Sequence, residues 1–323
     1  MLIDSLGRKI TYLRLSVTDR CDLRCQYCMP EGFLSDEEPR DWLNFDELTR
    51  LAGIFTAAGI ERIRLTGGEP LLRRNLSELA RRLAALPGLR DLSLSTNGTQ
   101  LLEQAENLRA AGVDRLNVSL DALDRQRVQT ISRRDVLPQI LAGLDKARQV
   151  GFSQIKINMV VLPDTAEDEI DAMAAYCREQ GFILRLIETM PVGQAGQKSG
   201  FVDLQPLIRR IRQRFDLIDG VVAGGGPARY LVSQDRRFQI GFITALSQHF
   251  CDSCNRVRLA ANGMLHLCLG RNEAVDFRQL LRQGASDGEI LGELQRGLGH
   301  KPAYHDFRNK EQRLMRMMSA TGG

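Results

Sequence analysis

The stretch LRLSVTDRCDLRCQYCMP, residues 13–30, joins an extended run to a loop carrying Cys21, Cys25 and Cys28. The spacing Cys-x3-Cys-x2-Cys supplies three thiolates from one short loop. A cubane [4Fe–4S] cluster has four irons and takes thiolate as its usual protein ligand. Three cysteines therefore leave one iron open to bind and activate a small molecule. A structural zinc site would use four Cys or His ligands, and the nearest histidine, His249, is far away in sequence. A disulfide staple is not expected, because the N-terminus MLIDSLGRKI has no apolar signal region. The spacing favours an iron–sulfur cluster over zinc.

Outward from that loop, strand and helix alternate. ITYLRLSV (10–17), RIRLT (62–66), DLSLST (91–96), RLNVSL (115–120), QIKINMVVL (154–162) and ILRLIET (183–189) read as strands. DELTRLAGIFTAAG (46–59), LSELARRLAAL (76–86), segments near 100–111, 124–131 and 136–150, and EDEIDAMAAYCREQG (167–181) read as helices. Such alternation implies βαβ units and a parallel sheet. About six units are countable, short of the eight that close a full barrel. The expected fold class is α/β, an incomplete (β/α)6 TIM-like barrel with its active site at the C-terminal ends of the strands. After about residue 200 the pattern changes. One helix (204–214) precedes the turn signal GGGP (224–227), and RYLVS with RFQIGFI (229–243) reads as an antiparallel hairpin. The expected domains are 1–214, the partial barrel, and 215–323, a smaller second domain.

Composition agrees with a globular protein: 43% hydrophobic and 26% charged residues. No apolar run approaches a membrane span. The chain is expected to be cytoplasmic, where its seven cysteines stay reduced. A net charge of +4 is too mild to argue for nucleic acid, but it suits an anionic small molecule if the arginines converge.

A second set, Cys251, Cys254 and Cys268, lies in HFCDSCNRVRLAANGMLHLC. Here zinc, with His249 or His266 as fourth ligand, and iron–sulfur are equally open. Cys177 lies in a helical pattern and reads as core. TGGEP (66–70) follows a strand: Gly67 and Gly68 permit close backbone approach, and the Glu69 carboxylate suits an ammonium group. Ser119 and Asp121 end another strand in NVSLD. In LRLSV, Arg14 and Ser16 share the face opposite Leu13, Leu15 and Val17. Arg256 and Arg258 are two apart and share one side if extended. Guanidinium groups fork well onto phosphate oxygens, although any one of these arginines alone reads as a surface charge. There is no GxxxxGK[ST] phosphate loop.

With Tyr27 between the second and third cysteines, the first loop resembles the Cys-x3-Cys-x-aromatic-Cys signature of the radical S-adenosylmethionine (SAM) superfamily. The motifs LRLSVTDRCDLRCQYCMP, RLTGGEPLLRR, LSTNG, NVSLDALD, FCDSCNRVRL and the final Gly-Gly resemble, in order, the GTP 3′,8-cyclase family of molybdenum-cofactor biosynthesis, over nearly the whole chain. The resemblance implies two [4Fe–4S] clusters as cofactors, on Cys21, Cys25 and Cys28 and on Cys251, Cys254 and Cys268, with SAM at the first. It implies SAM contacts from Gly68, Ser119 and Met190, with Tyr27 against the adenine and the Gly67–Glu69 segment at the amino group. It implies a GTP pocket lined by Arg14, Arg256 and Arg258, with Arg64, Ser95 and Lys156 as further contacts. Gly322 and Gly323 would thread a tail into the active site, so that catalytic roles fall to the first three cysteines, Arg14, Gly322 and Gly323.

The implied reaction begins with hydrogen abstraction from C3′ of GTP by a 5′-deoxyadenosyl radical. The ribose then attacks C8 of guanine. The implied partners are GTP, an external electron donor and a downstream enzyme that makes cyclic pyranopterin monophosphate, with no nucleic acid and no membrane; monomer and homodimer are both open. Two rival readings are a radical SAM enzyme that modifies a peptide and a non-enzymatic metal-binding module.

Overall fold

The structure, a computed structural model, describes residues 1–30, 41–222, 224–307, 314 and 316–322. Its first six units are β1 (Tyr12–Ser16) with α1 (Phe45–Ala58), β2 (Arg62–Thr66) with α2 (Leu76–Ala84), β3 (Asp91–Thr96) with α3 (Leu101–Ala110), β4 (Arg115–Ser119) with α4 (Arg125–Ser132) and α5 (Leu137–Gln149), β5 (Gln154–Val161) with α6 (Glu167–Gln180), and β6 (Ile183–Glu188) with α7 (Gly193–Lys198) and α8 (Leu204–Arg214). There follow β7 (Leu217–Gly220), β8 (Arg229–Ser233), β9 (Gln239–Ile243), β10 (Arg256–Leu259), β11 (Met264–His266), β12 (Ala274–Asp276), α9 (Phe277–Arg282), α10 (Asp287–Leu298) and α11 (Met318–Thr321).

Local chemistry explains the helix boundaries. Asn44 caps α1 by accepting from the Glu47 N–H at 2.9 Å, while the Glu47 carboxylate accepts from the Asn44 N–H at 2.8 Å. Leu48, Leu51, Ala52 and Phe55 then fall on one buried face. Gly181 ends α6 at φ +71°, a backbone angle that suits glycine.

Strands β1 to β6 pair in parallel in chain order, which is the expected incomplete (β/α)6 barrel. The boundaries of the expected strands and helices agree to within two residues. The later residues extend the same sheet at both edges. β9 joins β6 and β10 joins β1, each in parallel. The hairpins beyond them are antiparallel, and β8–β9 is the expected one. Among the described residues the result is one twelve-stranded mixed sheet, in the order β12-β11-β10-β1-β2-β3-β4-β5-β6-β9-β8-β7.

Alternation along the strands sorts the two faces. Leu13, Leu15, Ile63, Leu65, Leu92, Leu94, Leu116, Val118, Ile157, Leu184 and Leu186 are all buried in the core cluster that the helices share. The other face carries Tyr12, Arg14, Arg64, Ser93, Ser95, Asn117, Lys156 and Arg185. A full barrel packs its interior with branched apolar side chains; here the interior face is polar and charged.

Candidate active site

The cysteine loop leaves β1 at its C-terminal end and is tied down by its neighbours. The N–H groups of Arg24 and Gln26 donate to the carbonyls of Ser132 and Ile131, at 3.1 and 3.0 Å. Asn97 donates from Nδ2 to Asp22 at 2.7 Å and to the Cys21 sulfur at 3.8 Å. The turn after β2 lies against the same loop: Gly68 N–H donates to Thr18 O at 2.9 Å and Glu69 N–H to Arg20 O at 2.7 Å. A Cβ on Gly67 or Gly68 would overlap the carbonyl oxygen of Thr18 or Arg20. These glycines are therefore required by the loop itself.

Glu69 is fully buried. Its carboxylate accepts from Leu71 N–H at 3.0 Å, Thr96 Oγ1 at 2.7 Å and Asn97 N–H at 2.6 Å. Burial nevertheless pushes its carboxyl up to about 8, against the pull of those donors. Among the described residues no cationic side chain forms an ion pair with it. A ligand ammonium at this position would supply that charge. Tyr27 donates its hydroxyl to Asp121 Oδ2 at 2.8 Å, and Val160 N–H holds Oδ1 at 2.8 Å. Ser119 ends β4 and Met190 follows β6, both half-buried at the same end of the sheet. Burial, with Glu69 beside Cys21 and Asp121 beside Cys25, raises both thiols far above the usual range, and burial pushes Cys28 up to about 11. Iron bound here must displace these protons.

The second triad lies at the opposite end of the strands. Cys254 precedes β10, which runs parallel to β1, and Cys268 follows β11, which returns antiparallel. The expected confinement of the site to the C-terminal strand ends is therefore too narrow. Arg256 donates from Nη2 to the Cys254 sulfur at 3.9 Å. Burial opposes ionisation of Cys254, but Arg256 and Lys301 bring its thiol down to about 7. Arg8, paired with Asp4 at 2.6 Å, donates to the Cys251 carbonyl at 2.9 Å. His266 meets Arg316 at 3.2 Å, and burial first, then Arg316, bring it down to about 4. The His249 ring stacks edgewise on Tyr304, with 5.5 Å between centroids. Among the described residues no three His, Cys, Asp or Glu side chains meet closely enough to hold one ion. A cubane takes its thiolates on separate irons, so the all-cysteine donor sets suit a cluster better than a single zinc.

Between the two triads lies a bank of cations. Arg258, Arg14 and Arg64 are neighbours across β10, β1 and β2, aligned in register. Ser95, Asn117 and Lys156 align across β3, β4 and β5. Arg14, Arg64, Lys156 and Arg185 are buried. Burial, then Arg258 and Arg64, lower Arg14 well below its ordinary value. Burial and Arg256 bring Arg258 to about 9, and burial brings Arg185 to about 10. Arg185 donates to Asn117 Oδ1 at 2.5 Å, Lys156 to Tyr230 OH at 3.3 Å, and Arg64 and Tyr230 share a cavity with both cations. The sequence reading missed Arg185, Asn117 and Tyr230. For Asn117 and Arg185 the signal was a polar residue flanked by apolar ones, in LNV and LRL, which marks them as sharing the Arg14 face once strand pairing is known; Tyr230 in RYLVS carried no such signal.

Gly322 lies in the same space. Its carbonyl accepts from Arg258 Nη1, its φ is +70°, and a Cβ there would overlap the Thr66 side chain. The Ser319 backbone N–H is directed to the Cys28 sulfur. Gly323 lies outside the described residues.

Comparison with known proteins is consistent with this geometry. Residues 15–177 match the model of the radical SAM superfamily and 182–307 that of Molybdenum Cofactor Synthesis C. The chain is 46% identical over 328 residues to a GTP 3′,8-cyclase of Ectopseudomonas mendocina, covering 100% of this chain and 98% of the relative. It is 43% identical over 333 residues to that of Paracoccus denitrificans, covering 100% and 96%. Among solved structures, Streptococcus suis SuiB bound to S-adenosylmethionine aligns with a TM-score of 0.66 at 16% identity, covering 89% of this chain and 68% of that one. SuiB bound to precursor peptide SuiA aligns with the same score and identity over 97% and 76%. At that identity the likeness is one of fold.

Proposed function

This chain belongs to the GTP 3′,8-cyclase family of the radical SAM superfamily, and from that premise we propose that it converts GTP to (8S)-3′,8-cyclo-7,8-dihydroguanosine 5′-triphosphate, the first step of molybdenum cofactor biosynthesis. The observation that carries the reading is a bank of buried cations between two three-cysteine sets at opposite ends of the strands. When bound, two [4Fe–4S] clusters and SAM supply the electron, the 5′-deoxyadenosyl radical that takes hydrogen from C3′, and an open iron for the guanine.

The residues do the rest by holding and screening. Cys21, Cys25 and Cys28 would hold the first cluster, and Cys251, Cys254 and Cys268 the second. Glu69 with Gly67 and Gly68 would receive the amino group of SAM. Tyr27, fixed by Asp121, would meet the adenine, with Ser119 and Met190 as further contacts. Arg14, Arg64, Lys156, Arg256 and Arg258, joined by Arg185, grip the triphosphate and ribose, with Ser95 alongside. Gly322 closes the space beside Thr66 and would keep water from the reacting groups, with Gly323 assigned to the same tail by family resemblance alone. In this reading residues 1–214 carry the SAM chemistry and 215–323 complete the substrate site. The protein works in the cytoplasm with an external electron donor and hands its product to the enzyme that forms cyclic pyranopterin monophosphate. Among the described residues no helix is long and apolar enough to cross a membrane.

The rival, peptide modification, shares the fold, as SuiB does, but it gives no reason to bury four cations inside the barrel. The test is an anaerobic assay of reconstituted protein with GTP, SAM and dithionite, read by mass spectrometry. Expected are 5′-deoxyadenosine together with an isomer of GTP, and neither from Cys25→Ser. Deoxyadenosine without the isomer would discard GTP as substrate and favour the peptide rival.

A further inference from the structure

Lys301 has no role in the reading above. It is 3% exposed. Its ammonium donates to the carbonyl of Arg256 at 2.9 Å and to that of Leu267. Arg256 opens β10 two residues after Cys254, and Leu267 directly precedes Cys268. The register Arg258↔His266 brings these two segments together at the open end of the β10–β11 hairpin. One ammonium thus bridges the two strands at the point where both cysteines emerge.

The charge balance is unusual. A buried ammonium is costly unless a negative charge accompanies it. Among the described residues no carboxylate pairs with Lys301. Burial holds Lys301 below its ordinary value, with Arg8 and Arg256 adding to that, and the groups that favour its charge are Cys254 and Cys268. At the first triad the nearby side chains that act on the thiols of Cys21 and Cys25 are the carboxyl groups of Glu69, Asp22 and Asp121, and its cations Arg24 and Arg134 are directed to the carbonyls of Cys21, Leu23 and Asp22. A two-plus cubane on three thiolates carries one net negative charge, and one-electron reduction adds a second. A fixed cation against it favours the reduced form.

We propose that Lys301 is the charge-compensating and positioning residue of the second cluster, holding the Cys254 and Cys268 segments to it and making it easier to reduce. This rests on the two-cluster reading. The test uses full-length protein reconstituted anaerobically without SAM. Each cluster is isolated by replacing the other triad with alanine, and its midpoint is followed by electron paramagnetic resonance during a redox titration. Lys301→Gln removes the charge and keeps a donor; Lys301→Arg keeps the charge.

In K301Q the reduction equilibrium of the second cluster should fall about tenfold, about 59 mV for a one-electron couple. K301R should stay near the parent, and the first cluster should not move in either. Loss of second-cluster iron in K301Q but not in K301R would also support charge compensation. Equal midpoints in all three proteins at full iron content would overturn the role of Lys301, as would equal loss of iron in both variants. Absence of iron and sulfide at this triad in the Lys301-containing protein would overturn the cluster reading itself.

Discussion

Lys156 is a residue whose environment departs far from what its letter suggests. Burial first, then Arg185, Arg115 and Arg64, bring its ammonium down to about 6. The unfolded chain still holds this proton up to about pH 10.5, the ordinary lysine value. Between about 6 and 10.5 the unfolded state therefore binds more protons, and this group's contribution to stability rises with pH. A polyphosphate in the pocket reverses the balance by favouring the charged amine. Binding of GTP at pH 7.5 should then take up about one proton, measured by titration calorimetry in buffers of different ionisation heat. Lys156→Met should abolish the uptake; the same uptake in both proteins would assign the proton to another group. Lys156 was legible as a candidate only through family resemblance, because one lysine in QIKIN has no feature that separates a pocket cation from a surface one. Its depressed basicity comes from burial first and then from neighbours on three other strands.

At the scale of elements, the turn after β2 and the cysteine loop after β1 act as one unit. Two backbone hydrogen bonds join them, and Gly68 has no room for a side chain against Arg20. Gly68→Ala should push the loop away, costing about 1–3 kcal/mol as overpacking does. It should also lower the iron content of the first triad. Both are read in protein whose second triad is alanine, by denaturant titration and iron analysis; unchanged iron and stability would show that the turn yields without moving the cysteines. The strands and helices of the first six units were legible because alternation, helical spacing and caps act within short windows. The strands β10 to β12 were not read. RVRL and MLH are too short to announce themselves, and what makes them strands is the edge of β1 waiting for a partner.

Across the whole molecule, residues far apart in the chain hold the second triad. The Arg8 guanidinium donates to the carbonyls of Cys251, Pro302 and Ala303, and its ion pair with Asp4 is almost fully buried. Arg8→Met would leave the Asp4 carboxylate buried without its cation, a loss of about 3–5 kcal/mol. The denaturant midpoint should fall accordingly, and iron at the second triad should drop while the first retains its own. An unchanged midpoint would show that the pair contributes nothing beyond packing. By itself the sequence determined the α/β class, the order and extent of the first six units, both cysteine triads and the glycine turn, because each rests on residue type and spacing within one segment. Only the tertiary structure decided that the triads lie at opposite strand ends, that Arg258 aligns with Arg14, and that Lys301 and Gly322 enter the site. Those placements follow from which sheet edge each late strand pairs with. That choice is settled by burial and hydrogen bonding summed over the whole chain, and no local window contains it.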